Sequence, residues 1–287
     1  MTVRPRIICW TSTKGKEPVN EKASESSDNA SPKRKNIFKS YWEILKLRPV
    51  KFLGLSVILW ALVCSMASSG PVYLMTNNLE LSASKQSLVF TLCSLFAIMW
   101  VPVINLLCKK FDKKYVYCYA MMFSGAIMAI FGLIGISTFA LLIAMIFFFT
   151  FGNTTFWTLY YSLMYDLNEL DEYINGQRRE GAIAALMGLC QKLGSALGLQ
   201  ILGIVLQIGE YGVAGQEERA SHFIVYANTL IPGLIGILAA ICVISYPMTK
   251  SRHQSLTSAL EKKKHGDDYN EDNFQELLYK NQLKERN

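Results

Sequence analysis

One lysine sits where its surroundings supply no counter-charge. Lys192 lies in the run Cys190–Gly198 (CQKLGSALG), near the middle of an apolar stretch over 181–208. A cation at the centre of a bilayer costs about 2.5–3.5 kcal/mol even on the mildest scale, with no return if it faces lipid. It should therefore face a polar cavity or a carboxylate. Helical spacing puts Ala185, Gly188, Ser195 and Leu199 on its face, mostly small residues that leave room beside the ammonium. No Asp or Glu falls at membrane depth in this chain, so a partner for Lys192 is a substrate or another polypeptide. A lysine snorkelling to the interface is the plainer alternative.

The second chemically suggestive stretch is YDLNELDEYINGQRREG, residues 165–181. Asp166, Glu169 and Glu172 recur every third residue, so a helical extension of the preceding apolar run shows them within one arc of about 120°. Gly176 is placed to end that helix, and Arg178 and Arg179 then open the next segment. Ion pairs among such groups can hold one conformation of a gate, and are worth little if fully exposed. A solvated charged loop is the bland alternative.

The elements that must position these residues are membrane-spanning helices. Apolar residues make up 51% of 287 positions and gather in six runs, roughly 52–75, 87–108, 115–136, 139–165, 181–208 and 223–247. Each is long enough to cross the hydrocarbon layer, which takes about 20 helical residues. Phe139–Phe151 (FALLIAMIFFFTF) has no polar face at all, which excludes an amphipathic helix of a soluble domain. The fold class is therefore an all-α integral membrane bundle of six transmembrane helices, residues 52–248. Of the 29 Lys and Arg, 26 fall in the two end segments, the Lys109–Lys114 turn and the 166–180 loop. That bias predicts a multi-pass protein with both termini cytoplasmic. It also accounts for the net charge of +7 without nucleic acid, for which no aromatic-basic motif is present.

The flanks carry less. Residues 1–36 are polar, resemble no cleavable leader and read as a disordered cytoplasmic segment. Residues 37–51 place Ile37, Phe38, Tyr41, Trp42 and Leu45 on one helical face, the pattern of a short helix at headgroup level or of an ordinary helix entrance, and Pro49 limits its continuation. Residues 249–287 form a charged cytoplasmic tail in which Phe274, Leu277, Leu278 and Leu283 suggest at most one weak amphipathic helix. The seven cysteines are scattered and mostly within the apolar runs, and His222, His253 and His265 form no ligand cluster, so neither disulfide nor metal site is implied. Gly194 and Gly198 have GxxxG spacing, for which close helix packing is the default reading; Gly152-Asn153-Thr154-Thr155 interrupts the fourth run and is more simply structural than ligand-binding. A membrane enzyme is disfavoured by the absence of HExxH, a His cluster or paired intramembrane carboxylates.

Taken together, the acidic run and the lysine helix resemble the glycoside–pentoside–hexuronide:cation symporters, the melibiose permease-like branch of the major facilitator superfamily. The resemblance rests on Asp166, Glu169 and Glu172, on Arg178 followed by Glu180, on Lys192 with Gly194-Ser195-Ala196, and on Trp157 nine residues before the first aspartate. It spans about residues 40–247 and covers only the C-terminal six-helix half of such a protein. It implies a plasma-membrane secondary transporter coupling a sugar or glycoside to Na+ or H+ by alternating access. By carry-over, Lys192 and Trp157 line the sugar cavity, the indole stacking on a pyranose face. Asp166, Glu169, Glu172, Arg178 and Glu180 belong to the cytoplasmic gate. The coupling-ion carboxylates belong to the N-terminal half, so the resemblance implies a second six-helix bundle as partner and a chain not competent alone. Met1 opens within what resembles the loop joining the two bundles, as a fragment or a half-transporter would. A scaffold or sensor that keeps the fold without transporting remains the alternative.

Overall fold

The structure is a computed structural model and describes residues 37–176, 179–213 and 215–265. The chain divides into two compact units, Met1–Lys39 and Ser40–Asn287; of the first, only Ile37–Lys39 are described, as the opening turn of a helix. The segment 1–36, Arg178 and the apolar residues expected to form a helix late in the tail lie outside the described residues. All described regular structure is helical. The helices are α1 (Ile37–Lys46), α2 (Arg48–Tyr73), α3 (Ala83–Lys110), α4 (Lys113–Ile134), α5 (Phe139–Asn175), α6 (Glu180–Ile208), α7 (Glu217–Asn228), α8 (Leu230–Ile244) and α9 (Lys250–His265). Among the described residues, six segments are long and apolar enough to cross a membrane: α2 with its π-helical extension Leu74–Asn78, α3, α4, α5, α6, and α7 joined to α8. This is the arrangement of a half bundle of the major facilitator type.

Local chemistry sets the helix ends. Leu47 is extended, Pro49 falls in the first turn of α2, and the chain turns there instead of continuing α1. Asp112 caps α4 by accepting from the Lys114 amide at 3.1 Å. Gly176 ends α5 in the left-handed region, φ 66°, where a side chain would be strained. The last span is less regular than its continuous apolar run suggests. It begins at Glu217 and breaks at Thr229, where the Asn228 and Thr229 side chains donate to the carbonyls of Ile224 and Val225. Such side-chain bonds compete with the helix ladder.

The helices differ sharply in how much they bury. Of the most apolar 18 residues, 61% are buried in α2 but only 11% in α3, so α2 is central and α3 peripheral. The closest pairings are α4 with α8 and α2 with α6. In the second, a methyl on Gly194 would collide with the Ile58 carbonyl, and one on Gly198 with the Ser65 hydroxyl and Leu62 carbonyl. The GxxxG pair therefore lets two backbones approach. α3 leans mainly on α5, with the Trp100 indole donating to the Phe147 carbonyl at 3.1 Å. At the centre Trp60 of α2 and Tyr117 of α4 both stack on buried Phe156 of α5.

Candidate functional site

Two exposed stripes run along α6, and they have opposite chemistry. Leu189, Leu193, Leu197, Ile204 and Ile208 form a continuous apolar stripe suited to lipid. Ala185, Gly188, Lys192, Ser195, Ala196 and Leu199 form the other, centred on the lysine about 100° away. Gly194 and Gly198 point between them into the bundle against α2. The sequence folds this way because the glycines must take the crowded side and the leucines fill the lipid side, leaving one arc small and polar.

That arc opens onto a cavity of about 530 Å³ walled by α2, α3, α5 and α6. Its polar groups come from Ser65, Ser68 and Ser69 of α2, Asn153 of α5 and Ser195 of α6, with Trp157, Phe90 and Phe149 as aromatic walls. The Asn153 side-chain carbonyl accepts from the Cys64 thiol at 3.1 Å. Trp157 is held edge-on by Phe156 and Tyr160 and keeps one side open to the cavity. Lys192 lies one turn beyond the rim, exposed, and makes no hydrogen bond or ion pair with any described residue. The α2 serines went unselected in the sequence, and Asn153 was read there as more simply structural than ligand-binding; Ser-Met-Ala-Ser-Ser at 65–69 was a readable cue, being a polar patch inside an apolar run.

At the basic end of the bundle the acidic helix meets more partners than spacing predicted. Asp166 is buried, with Lys113 Nζ at 3.9 Å and His253 Nε2 at 3.4 Å. Glu169 lies 2.8 Å from the same His253 nitrogen and accepts from the Thr257 hydroxyl at 3.0 Å. The imidazole nitrogen is not aligned for a hydrogen bond to either carboxylate, so this contact is one of charge and depends on the ring being protonated. Thus Asp166 and Glu169 do share a face, and that face receives α9. The Lys250 amide donates to Asp112 at 2.7 Å, and Lys263 donates to the Tyr173 carbonyl while its ammonium lies 4.5 Å above the Tyr173 ring.

The arginine that anchors this end is Arg179, and its carboxylate is Asp171, neither of them in the expected gate set. Arg179 Nε and Nη2 donate to the two oxygens of fully buried Asp171 at 2.9 and 2.6 Å, and Nη1 donates to Glu43 of α1 at 3.2 Å. Asn175 adds a bond to Asp171 at 2.8 Å. The hydrogen bond that Arg179 donates to Asp171 is the main cause of its raised pKa, partial burial opposing it, so the guanidinium stays charged throughout the ordinary pH range. Glu172 and Glu180 are half-buried and both are engaged in interactions; Arg178 lies outside the described residues. Asp171 escaped notice because it falls between the three carboxylates of the spacing pattern, and Glu43 because it lies 136 residues away from Arg179 in the chain.

The described residues thus form a six-helix membrane bundle with a polar, aromatic-walled cavity on one flank and a charge-tied end. The model of the family described as MFS/sugar transport protein matches residues 6–250, and the chain belongs to that family. It is a transport family, so the chain is not an enzyme. Two curated relatives are similar to it. An uncharacterized symporter, sll1374, of Synechocystis is 26% identical over 217 residues, covering 73% of this chain and 40% of the relative. The uncharacterized symporter YnaJ of Bacillus subtilis is 28% identical over 265 residues, covering 89% and 53%. The chain thus spans about half the length of the curated relatives it matches.

Proposed function

We propose that this chain is one wall of a cation-coupled sugar or glycoside symporter, completed by a second six-helix bundle, with both ends in the cytoplasm of a plasma-membrane protein. The observation that carries the reading is Lys192, an ammonium at mid-span with no partner among the described residues, on a small-residue stripe that leads into the cavity of Trp157 and Asn153. A charge held there costs free energy that only a ligand or a facing carboxylate offsets. Lys192 donates to sugar hydroxyls or meets an acid of the other bundle, and Trp157 offers its open face to the apolar side of a pyranose ring. Coupling to Na+ or H+ rests on the second bundle, since no carboxylate reaches the cavity wall described.

At the opposite end of the acidic helix, Asp166, Glu169, Glu172, Arg178 and Glu180 belong to the cytoplasmic gate, together with Asp171, Arg179 and α9. Rocking of the two bundles about the cavity alternates access. The test is uptake of labelled glycosides by cells carrying the complete two-bundle transporter, with Lys192→Ala alongside. The reading expects loss of uptake with unchanged membrane abundance. Unchanged uptake removes Lys192 from the site. Absence of sugar flux in both forms, with the protein intact in the membrane, favours the non-transporting scaffold.

A further inference from the structure

α3 and α4 barely touch, although a turn of two residues joins them. Each leans on α5 instead, and between them lies a groove of about 450 Å³ with almost no polar surface. It is lined by Leu107, Phe111, Tyr115, Tyr119, Phe123 and, at its floor, Phe151. Phe151 precedes Asn153 by two residues, so it points about 200° away from it around α5. The groove therefore opens on the side of the bundle away from the polar cavity, toward lipid. From Phe111 to Phe123 it follows about 18 Å of helix, close to the depth of one leaflet.

The mouth of the groove carries cations. Lys110 and Lys114 place their ammoniums 5.7 Å from the centroids of the Phe111 and Tyr115 rings, two of the side chains that line it. Lys109 is exposed beside them at the end of α3. Lys113 is turned away to Ser162 and Asp166, so it is already engaged. Asp112 accepts from the Lys114 and Lys250 amides, and no ion pair joins Lys109 or Lys110 to a carboxylate among the described residues. We infer that this groove is a binding site for an anionic phospholipid, one acyl chain lying between α3 and α4 and the phosphate held by the exposed Lys109 and Lys110, Lys114 being buried. Charge complementarity selects the occupant: an apolar slot of leaflet depth ending in two exposed lysines fits an acidic headgroup, and basic pockets between spanning helices recognise such headgroups.

The test is native mass spectrometry of the detergent-purified full chain titrated with dioleoyl-phosphatidylglycerol or dioleoyl-phosphatidylcholine. One phosphatidylglycerol should be retained in preference to phosphatidylcholine. Lys109→Gln combined with Lys110→Gln, two exposed positions that the fold does not need, should weaken its retention about tenfold. Lys85→Gln, at the other end of α3, should leave it unchanged. Soluble glycerol phosphate should not compete, because it lacks the chain that fills the groove. Equal retention of the two lipids, or full retention in the double variant, overturns the site. Displacement by glycerol phosphate overturns the role of the groove. These readouts need no transport, so they stand or fall apart from the symporter reading.

Discussion

Two cations in this molecule sit in opposite circumstances. Arg179 donates to both oxygens of a carboxylate that is 0% exposed and to a second one from α1. Lys192, near the middle of a spanning helix, has no partner among the described residues. The first is a charge spent on architecture: it joins the end of α5, the start of α6 and α1 at one point. The second is a charge that the fold leaves open. A saturated ion pair resists change at its own position, whereas a bare cation in an apolar setting is free to respond to whatever enters beside it. The contrast teaches that a cation set in or beside apolar sequence can serve two different roles, and only the partners tell them apart.

The contrast is most exposed at Arg179. Arg179→Met strands Asp171 without its cation, and the thermal midpoint of the purified chain should fall by the equivalent of about 3 kcal/mol or more. Replacing both partners, Asp171→Leu with Arg179→Met, should recover much of that, because the stranded charge is what costs. A silent Arg179→Met would mean that the pair does not hold this end together. Next in size is the seam that carries the lysine stripe. Gly198→Val drives a side chain into Ser65 and the Leu62 carbonyl and should cost about 1–3 kcal/mol in the same measurement, whereas Gly203→Val, which meets open space, should cost far less.

Smaller still is the α9 contact. Thr257→Val and Glu169→Gln remove a hydrogen bond and a charge contact that are both partly exposed, so each should shift stability by under about 1 kcal/mol while raising the rate of proteolytic cleavage within α9. Equal cleavage in variant and parent would detach α9 from the acidic helix. The smallest effect on stability is expected at the lysine itself. Lys192→Ala should change stability by no more than about 0.5 kcal/mol, since no hydrogen bond or ion pair with a described residue is lost. A large destabilisation there would erase the difference between the two cations and make Lys192 structural.

Sequence alone determined the six spans, the end of α5 at Gly176, the turn before α2 at Pro49 and the isolation of Lys192. Each of these is local: hydrocarbon thickness, a left-handed cap, a missing amide and the absence of acids at depth are readable along one stretch of chain. The spacing of Asp166 and Glu169 likewise put them on one face. Only the tertiary structure decided what that face meets, because His253 and Thr257 arrive from a tail helix more than 80 residues on. It alone paired Arg179 with Asp171 and Glu43, broke the last span at Thr229, and assembled the serines of α2, Asn153 and Trp157 around one cavity. The physical reason is common to all of these. Periodicity says which residues share a face, but the neighbour of that face is set by helix packing between segments far apart in the chain, and by which backbones the small residues allow to approach.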